Sequence, residues 1–192
     1  MSLLLDGRIA VITGAGSGIG RAIALGYAKA GAGVVVLDVN AETAGQTATS
    51  IKSAGGTAWS FRLDVSAAET CRSVAAEVAK TVGQVSILVN NAGINRRNAF
   101  TAEPAAVFKD WQDIMAINLN GVFNVTHAFL EQLRQARGRI INIASIQSFV
   151  HVRTPNSPAY TTSKHGVLGL TRALAAELGK DCLLYTSPSP RD

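Results

Sequence analysis

The sequence predicts an α/β fold in which one parallel sheet carries helices on both faces. Short β-branched runs alternate with longer amphipathic stretches, and this order produces strand–helix–strand crossovers and parallel strands. Several of the short runs are apolar at successive positions, as strands buried on both faces are. A chain of 192 residues can bury one substantial core, so we expect a single domain.

Five short segments are predicted to be strands: RIAVIT (8–13), GVVVLD (33–38), TAWSFRLDV (57–65), SILVNN (86–91) and GRIINIAS (138–145). Helical patterns occupy the intervening and following residues, at 19–31, 41–54, 67–82, 105–135 and 158–179. The first helix shows the period plainly, because its apolar and small residues follow the i, i+3, i+4, i+7 spacing of one helical face. No internal repeat is visible.

Composition excludes several classes of function. A hydrophobic content of 47% with 16% charged residues is typical of a globular protein, not a disordered one. The net charge is +5, but the basic residues form no stripe interleaved with aromatics, so we expect no nucleic-acid partner. The histidines and cysteines have no metal-ligand spacing. No run approaches the length of a membrane span and MSLLLDG lacks a basic leader region, so we expect a cytoplasmic protein without a membrane or metal partner.

The first predicted strand runs directly into TGAGSGIG (13–20) and then into a helix. Gly14 permits a tight turn, Gly18 lets main-chain amides approach a pyrophosphate, and Gly20 allows the helix to pack close to the strand. The N-terminus of the helix adds unpaired N–H groups and a partial positive charge. This loop, at the first strand–helix junction, predicts a dinucleotide site and a Rossmann-like, doubly wound sheet.

An acidic residue, Asp38, ends the second predicted strand, twenty residues after Gly18. A carboxylate at this position accepts hydrogen bonds from the adenosine ribose hydroxyls and repels a 2′-phosphate. Neither Ser17 nor Val39 offers a basic group to offset that repulsion. We therefore expect NAD as the cofactor in preference to NADP. The competing interpretation is that Asp38 only caps the next helix, because VLDVNAET also resembles a helix start.

A second pair of residues, Tyr160 and Lys164, stands four positions apart at the start of the last predicted helix. Side chains at i and i+4 lie on the same helical face, one turn apart. The ordinary pKa of a tyrosine is about 10, and a neighbouring cation favours the phenolate and lowers that pKa. Such a tyrosine can exchange protons at cellular pH. Alternatively, Tyr160 packs against the core and Lys164 is solvated.

Taken together, the motifs of residues 6–181 resemble the short-chain dehydrogenase/reductase family. The segments NIASIQSF and YTTSKHGVLGLTRALAAEL are similar to members that act on sugar acids and polyols, and then to 3-oxoacyl reductases. The resemblance rests on six features in the family's order: TGAGSGIG (13–20), Asp64 with Val65, NNAG (90–93), Asn118, IINIAS ending at Ser145, and YTTSK (160–164). It implies an oxidoreductase that transfers a hydride between NAD(H) and a secondary alcohol or ketone.

The resemblance also implies roles for individual residues. Tyr160 would exchange the hydroxyl proton, Lys164 would assist it and hold the nicotinamide ribose, and Ser145 would bind the substrate oxygen. Asn118 would bend its helix, where the pattern falters over NLNG (118–121), and hold a water that links the lysine to solvent. The implied cofactor-binding residues are Gly14, Ser17, Gly18, Ile19, Gly20, Asp38, Asp64, Val65, Asn91, Ala92, Gly93, Tyr160 and Lys164. For Asp64, Val65 and the NNAG segment, Asn90 included, a purely structural role remains the alternative.

The substrate should meet loops at the carboxyl ends of the strands, namely residues 94–104 and 146–158. Polar groups there favour a hydroxylated substrate, and the arginines also suit an anionic one. Gln147 and Arg153 are the candidate contacts, and Arg96, Arg97 and His151 lie in the same loops. Solvation is the alternative for each arginine. Ser145 and Tyr160 are fifteen positions apart, two more than the family's usual spacing, so Ser148 competes with Ser145. We favour Ser145 because it ends a strand.

The end of the sequence departs from the family, whose chain continues past the catalytic helix into further strands. After AAELGKD come the residues CLLYTSPSPRD, in which we expect no strand. We therefore expect a catalytic and dinucleotide-binding domain over 1–181 and an irregular tail over 182–192, either native or derived from a frame change or cloning. A sheet that lacks the last strands has an exposed edge.

Two alternative functions remain open, a non-catalytic NAD(H)-binding module and an inactive fragment. A full-length version should form a homo-oligomer.

Overall fold

The computed structural model describes residues 3–150, 158–179 and 184–186. Its elements, in chain order, are β1 (Ile9–Thr13), α1 (Gly18–Lys29), β2 (Gly33–Asp38), α2 (Ala41–Ser53), β3 (Ala58–Arg62), α3 (Ala68–Thr81), β4 (Ile87–Asn90), α4 (Pro104–Met115), a π-helical turn (Ala116–Asn120), α5 (Gly121–Gln135), β5 (Arg139–Asn142), a 3₁₀ turn (Ile146–Ser148), α6 (Pro158–Leu178) and β6 (Leu184–Thr186). Within the described ranges, no helix has both the length and the apolar character that crossing a bilayer requires.

The strands form one sheet in the order β3-β2-β1-β4-β5-β6, and all neighbours are parallel. The order reverses between β1 and β4, because the chain builds outward through β2 and β3 and then returns to the other side of β1. Loops that leave β1 and β4 therefore diverge and open a crevice at the carboxyl ends of the strands. The predicted Rossmann-like, doubly wound sheet is confirmed.

Both faces of the sheet are covered, as the apolar strand sequences predict. Along β1, Val11 packs on one side with Phe129 and Leu133 of α5. Its neighbours point to the other side, where Ile12 packs with Ile51 of α2. Because side chains alternate along a strand, each buried strand contributes to two separate cores.

The five predicted strands and the predicted helices are all present, with ends shifted by a few residues. The long helical pattern over 105–135 is interrupted by the π-helical turn at Ala116–Asn120, the place where the sequence pattern falters. The start of α4 has a local cause: Pro104 occupies the first turn, where its missing N–H is not needed, and the Glu103 carboxylate accepts a hydrogen bond from the Ala106 N–H at 2.9 Å.

The expectation that no strand follows the last helix is wrong for Leu184–Thr186. These residues pair in parallel with β5, in a register that sets Leu184 opposite Arg139. The edge of β5 offers unpaired main-chain groups, and an aromatic and a β-branched residue in LYT suit an extended strand. A run of three residues beside serines and prolines is too short to show the alternating pattern of a strand, so this strand could not be predicted from the sequence. Residues 180–183 and 187–192 lie outside the described part of the chain.

Candidate active site

A cleft of about 590 Å³ opens at the point where the strand order reverses. It brings together most of the predicted cofactor-binding residues: Gly14, Ser17, Gly18, Ile19, Asp38, Asp64, Val65, Asn91, Ala92 and Gly93. Sequence reasoning did not assign four further residues that line it: Val39, Leu63, Ile94 and Ile117. Apolar residues at the ends of β2 and β3 and on the π-helical turn give no local sign of a ligand site, because they resemble ordinary core.

The glycine loop adopts a backbone conformation that would be strained if other residues replaced its glycines. Gly14 and Gly18 have φ values of +62° and +51°, in the left-handed region that glycine adopts without steric cost. A Cβ on Gly20 would lie 2.1 Å from the carbonyl oxygen of Gly14. Gly20 is therefore the contact between α1 and the loop beneath the cleft wall, as its predicted packing role requires.

The Asp38 carboxylate lies across the glycine loop. One oxygen accepts a hydrogen bond from the Gly16 N–H at 2.9 Å, and the other accepts one from the Asn40 N–H at 3.0 Å. The N-cap of α2 is Asn40, whose side chain accepts hydrogen bonds from two N–H groups of the first turn. Asp38 thus precedes the cap and borders the cleft, which removes the main support for the competing capping interpretation.

The loop after β4 is tied to the glycine loop by hydrogen bonds that the sequence did not predict. The Thr13 hydroxyl accepts hydrogen bonds from the Asn91 and Ala92 N–H groups, both at 3.0 Å. The Asn91 side-chain amide donates to the carbonyls of Thr13 and Gly14 at 3.0 and 3.2 Å. The two walls of the cleft are thereby held at a fixed separation. A hydroxyl at the carboxyl end of β1 suggests that Thr13 has a role near the cleft, but the sequence around β1 does not show which residues it bonds to.

Asn90 is buried below the cleft and holds the sheet to its helices. Its side-chain amide donates to the Thr126 hydroxyl of α5 at 2.9 Å and to the Asn142 side-chain carbonyl of β5 at 2.8 Å. Asn142 in turn donates to the Thr171 hydroxyl of α6 at 2.9 Å. Of the two interpretations left open for Asn90, this geometry favours the structural one.

Asn118 lies in the π-helical turn and is fully buried. Its Oδ1 accepts a hydrogen bond from the Ile94 N–H, and its Nδ2 donates to the Ile94 carbonyl, both at 2.8 Å. Nδ2 also lies 3.3 Å from the Ser163 hydroxyl, which itself donates to the Tyr160 carbonyl at 2.8 Å. Asn118 therefore joins the cleft wall at Ile94 to the helix that carries Tyr160. Ser163 was not predicted, because a serine inside a helix resembles an ordinary small residue.

Tyr160 and Lys164 occupy successive turns of α6, as their spacing predicts. The Lys164 ammonium lies 5.8 Å from the centroid of the Tyr160 ring and donates to the Ile143 carbonyl just beyond β5 at 2.8 Å. Burial lowers the pKa of Lys164 from its ordinary value of 10.5 to about 8, because desolvation disfavours the charged form. A lysine with this pKa can both carry a charge and release a proton near neutral pH.

Ser145 follows β5 and is buried, and its hydroxyl accepts a hydrogen bond from the Gln147 N–H at 3.2 Å. The competing Ser148 directs its hydroxyl back to the Ser145 N–H at 3.3 Å, so it closes the 3₁₀ turn that Ser145 caps beyond this strand. Gln147 is 4% exposed, and its Oε1 accepts a hydrogen bond from the Thr161 hydroxyl at 2.6 Å.

The remaining candidate substrate contacts are loop residues. Arg96 and Arg97 are exposed, which agrees with the alternative that they are solvated. Arg153 and His151 lie outside the described residues, so their predicted place near the substrate stays a prediction.

The sequence model of the family described as short chain dehydrogenase matches residues 8–184. D-threitol dehydrogenase from Mycolicibacterium smegmatis is 40% identical over 187 residues, a match that spans 97% of this chain and 70% of that protein. A 3-oxoacyl-[acyl-carrier-protein] reductase from Aquifex aeolicus is 34% identical, over 99% of this chain and 75% of its own length.

Solved structures give the same result. A gluconate 5-dehydrogenase from Burkholderia cenocepacia, in complex with NADP and tartrate, superposes with a TM-score of 0.86 at 39% identity, over 93% of this chain and 69% of that one. A putative NAD(P)-dependent gluconate 5-dehydrogenase from Beutenbergia cavernae, with bound NADP, superposes with a TM-score of 0.84 at 40% identity, over 93% of this chain and 70% of that one. With the doubly wound sheet, the glycine loop and the Tyr160–Lys164 pair in place, the chain belongs to the short-chain dehydrogenase/reductase family of oxidoreductases, which use a nicotinamide cofactor.

Proposed function

We propose that the protein is an NAD-dependent dehydrogenase that interconverts a secondary alcohol and its ketone, with a polyol or a sugar acid as substrate. The observation that carries this proposal is the buried Lys164 ammonium beside Tyr160 on α6. The Lys164 ammonium bonds to the chain just beyond the carboxyl end of β5. Strand β5 pairs with β4, and the loop after β4 lines the cleft. A phenol with a desolvated cation beside it is suited to proton exchange at neutral pH.

Each residue then has a defined task. Tyr160 takes the proton of the substrate hydroxyl during oxidation and returns it during reduction. Lys164 stabilises the phenolate and holds the ribose next to the nicotinamide, and the nicotinamide supplies the hydride chemistry when bound. Ser145 donates a hydrogen bond to the substrate oxygen and keeps it within reach of the tyrosine. Asn118 positions the catalytic helix through Ser163.

The choice of NAD rests on Asp38. Its two oxygens each accept one main-chain N–H, which leaves lone pairs that can accept ribose hydroxyls. A fixed negative charge at the cleft wall opposes a 2′-phosphate. The next residue, Val39, is 57% exposed and carries no charge to offset it. The gluconate 5-dehydrogenases described above contain NADP, so the proposed preference for NAD rests on Asp38 of this chain and not on those relatives.

Steady-state oxidation of D-threitol, D-gluconate and a 3-hydroxyacyl thioester, each with NAD⁺ and with NADP⁺, tests the proposal. We expect turnover of the polyol or the sugar acid, with kcat/KM at least about tenfold higher for NAD⁺. Asp38→Asn keeps an acceptor oxygen but removes the charge, so it should reduce the ratio of kcat/KM with NAD⁺ to kcat/KM with NADP⁺. The proposal fails if NADP⁺ supports the faster reaction, or if only the thioester reacts.

The predicted homo-oligomer also stays a proposal, and an exposed apolar surface supports it. Phe108 and Trp111 of α4 are 69% and 45% exposed, and they line a groove of about 300 Å³ with the first residues of α6. Exposed aromatic patches of this kind mark protein interfaces. Analytical ultracentrifugation of a full-length version should show a dimer or tetramer that Trp111→Glu dissociates; a monomeric full-length protein would refute the proposal.

A further inference from the structure

We infer that Gln147 and Thr161 form a bridge that positions Ser145 relative to Tyr160, and that Gln147 acts through this bridge instead of touching the substrate. The inference rests on the proposed function, because it assigns two more residues to the same site. Neither residue is a proton donor in the proposed reaction, so both are positioning residues.

The first observation is the burial of Gln147. Its side chain lies on the 3₁₀ turn that follows Ser145 and is 4% exposed. The neighbouring apolar residues Ile146 and Phe149 are 47% and 57% exposed. This inverts the usual distribution, in which amides face water and apolar side chains are covered. A buried amide needs a partner, and here the partner determines which way the turn faces.

The second observation is the identity of that partner. The Thr161 hydroxyl donates to Gln147 Oε1 at 2.6 Å, and Thr161 immediately follows Tyr160 on α6. At the other end, the Gln147 N–H donates to the Ser145 hydroxyl at 3.2 Å. Two hydrogen bonds therefore join the serine that would hold the substrate oxygen to the helix turn that carries the tyrosine.

The third observation is the length of chain between the two catalytic residues. Ser145 and Tyr160 are fifteen positions apart in the chain. The bridge joins them through one intervening residue on each side, Gln147 and Thr161. The 3₁₀ turn also packs against α6, so the bridge lies inside a packed contact and not on the surface.

The bridge predicts a specific kinetic signature. Thr161→Val and Gln147→Leu each remove one partner, and each should lower kcat about tenfold, because misplacement of reacting groups affects the chemical step. KM for D-threitol or D-gluconate, whichever the parent protein oxidises faster, should change less than twofold. Thr161→Ser keeps the hydroxyl and should retain the parent kcat. Thr162→Val, at the exposed neighbouring threonine, is the matched control and should also retain it.

The double variant Gln147→Leu with Thr161→Val sharpens the test, since residues in one bridge act non-additively. It should lose no more kcat than the worse single variant, because no buried polar group is left without its partner. Two results would overturn the bridge: losses that multiply in the double variant, or a Gln147→Leu variant that raises KM while Thr161→Val matches Thr162→Val. The second result would make Gln147 a substrate contact.

A readout without substrate separates this inference from the proposed function. Hydrogen–deuterium exchange of the main-chain amides at 146–148 should accelerate in Thr161→Val and stay at the parent rate in Thr162→Val. If the parent protein oxidises none of the tested alcohols, the proposed function fails while this exchange result still decides the bridge. Equal exchange rates in the two valine variants would overturn it.

Discussion

The proposed site has a cofactor end and a catalytic end, and the two are formed by different kinds of groups. The cofactor end uses main-chain geometry, with Gly14 and Gly18 in left-handed conformations and the Asp38 carboxylate bonded to main-chain N–H groups. The catalytic end uses buried side chains, and Asn118 and Lys164 each bond to main-chain carbonyls of other segments. The first end depends on the absence of side chains, and the second depends on particular side chains in fixed places.

Because of this difference, the two ends should tolerate different amino-acid substitutions. At the cofactor end an added methyl group obstructs the backbone, whereas at the catalytic end a removed polar group leaves a buried partner without its hydrogen bond. Binding and chemistry should therefore fail separately.

The largest effect is expected from Lys164→Met. The substitution removes the cation beside Tyr160 while filling a similar volume, so proton exchange loses its support and kcat should fall by about 10²- to 10⁴-fold. NADH should still bind, within about tenfold of the parent affinity, because the substitution removes only the proposed contact with the nicotinamide ribose and leaves the glycine loop and Asp38 untouched. Steady-state rates and NADH fluorescence titration measure the two quantities. A loss of binding as large as the loss of kcat would contradict the separation.

The second prediction concerns the stability of the unliganded protein against pH. The pKa of Lys164 is about 8 in the folded protein and ordinarily 10.5, so between these values the unfolded chain binds more protons. Stability therefore rises with pH across that window. The gain is absent below pH 8, where lysine is charged in both states.

Urea unfolding at pH 8 and pH 10, in the parent protein and in Lys164→Met, measures this effect. The free energy of unfolding of the parent should gain up to about 3 kcal/mol relative to the variant across the window. If the difference in free energy of unfolding between parent and variant is the same at both pH values, or shifts in favour of the variant at pH 10, burial does not depress the pKa of this lysine.

The third and smallest effect is expected from Gly20→Ala at the cofactor end. The new Cβ would lie 2.1 Å from the Gly14 carbonyl oxygen, so the loop must shift, and NAD affinity should fall roughly ten- to hundredfold. Gly26→Ala is the matched control on the same helix, because nothing lies within 4 Å of its added methyl group. It should bind NAD normally and stabilise α1 slightly. Equal affinities in the two variants would contradict the steric role of Gly20.

Sequence predicted most of the residues that line the cleft, since their determinants are local. A glycine motif between a strand and a helix fixes Gly14, Gly18 and Gly20, and the acidic residue that ends the next strand fixes Asp38. The sheet followed from strands that are apolar on both faces. The spacing of Tyr160 and Lys164 also placed them correctly, because one helix carries both.

The elements that sequence reasoning missed are those whose partners are distant in the chain. The Thr13 hydroxyl binds the loop after β4, and the Ser163 hydroxyl binds Asn118 across 45 positions. Gln147 was predicted as a substrate contact, which stays a prediction, but its hydrogen bond to the Thr161 hydroxyl was not predicted. The edge strand Leu184–Thr186 depends on a free edge of β5 that only the assembled sheet provides.

The most direct test of the account is Tyr160→Phe, which removes one oxygen atom and leaves the ring. The variant should bind NADH with the parent affinity in a fluorescence titration and lose at least about a hundredfold in kcat for the alcohol that the parent oxidises. Retained turnover would show that the proton passes through another group. Weakened NADH binding with proportionate loss of rate would show that the two ends of the site are not separate.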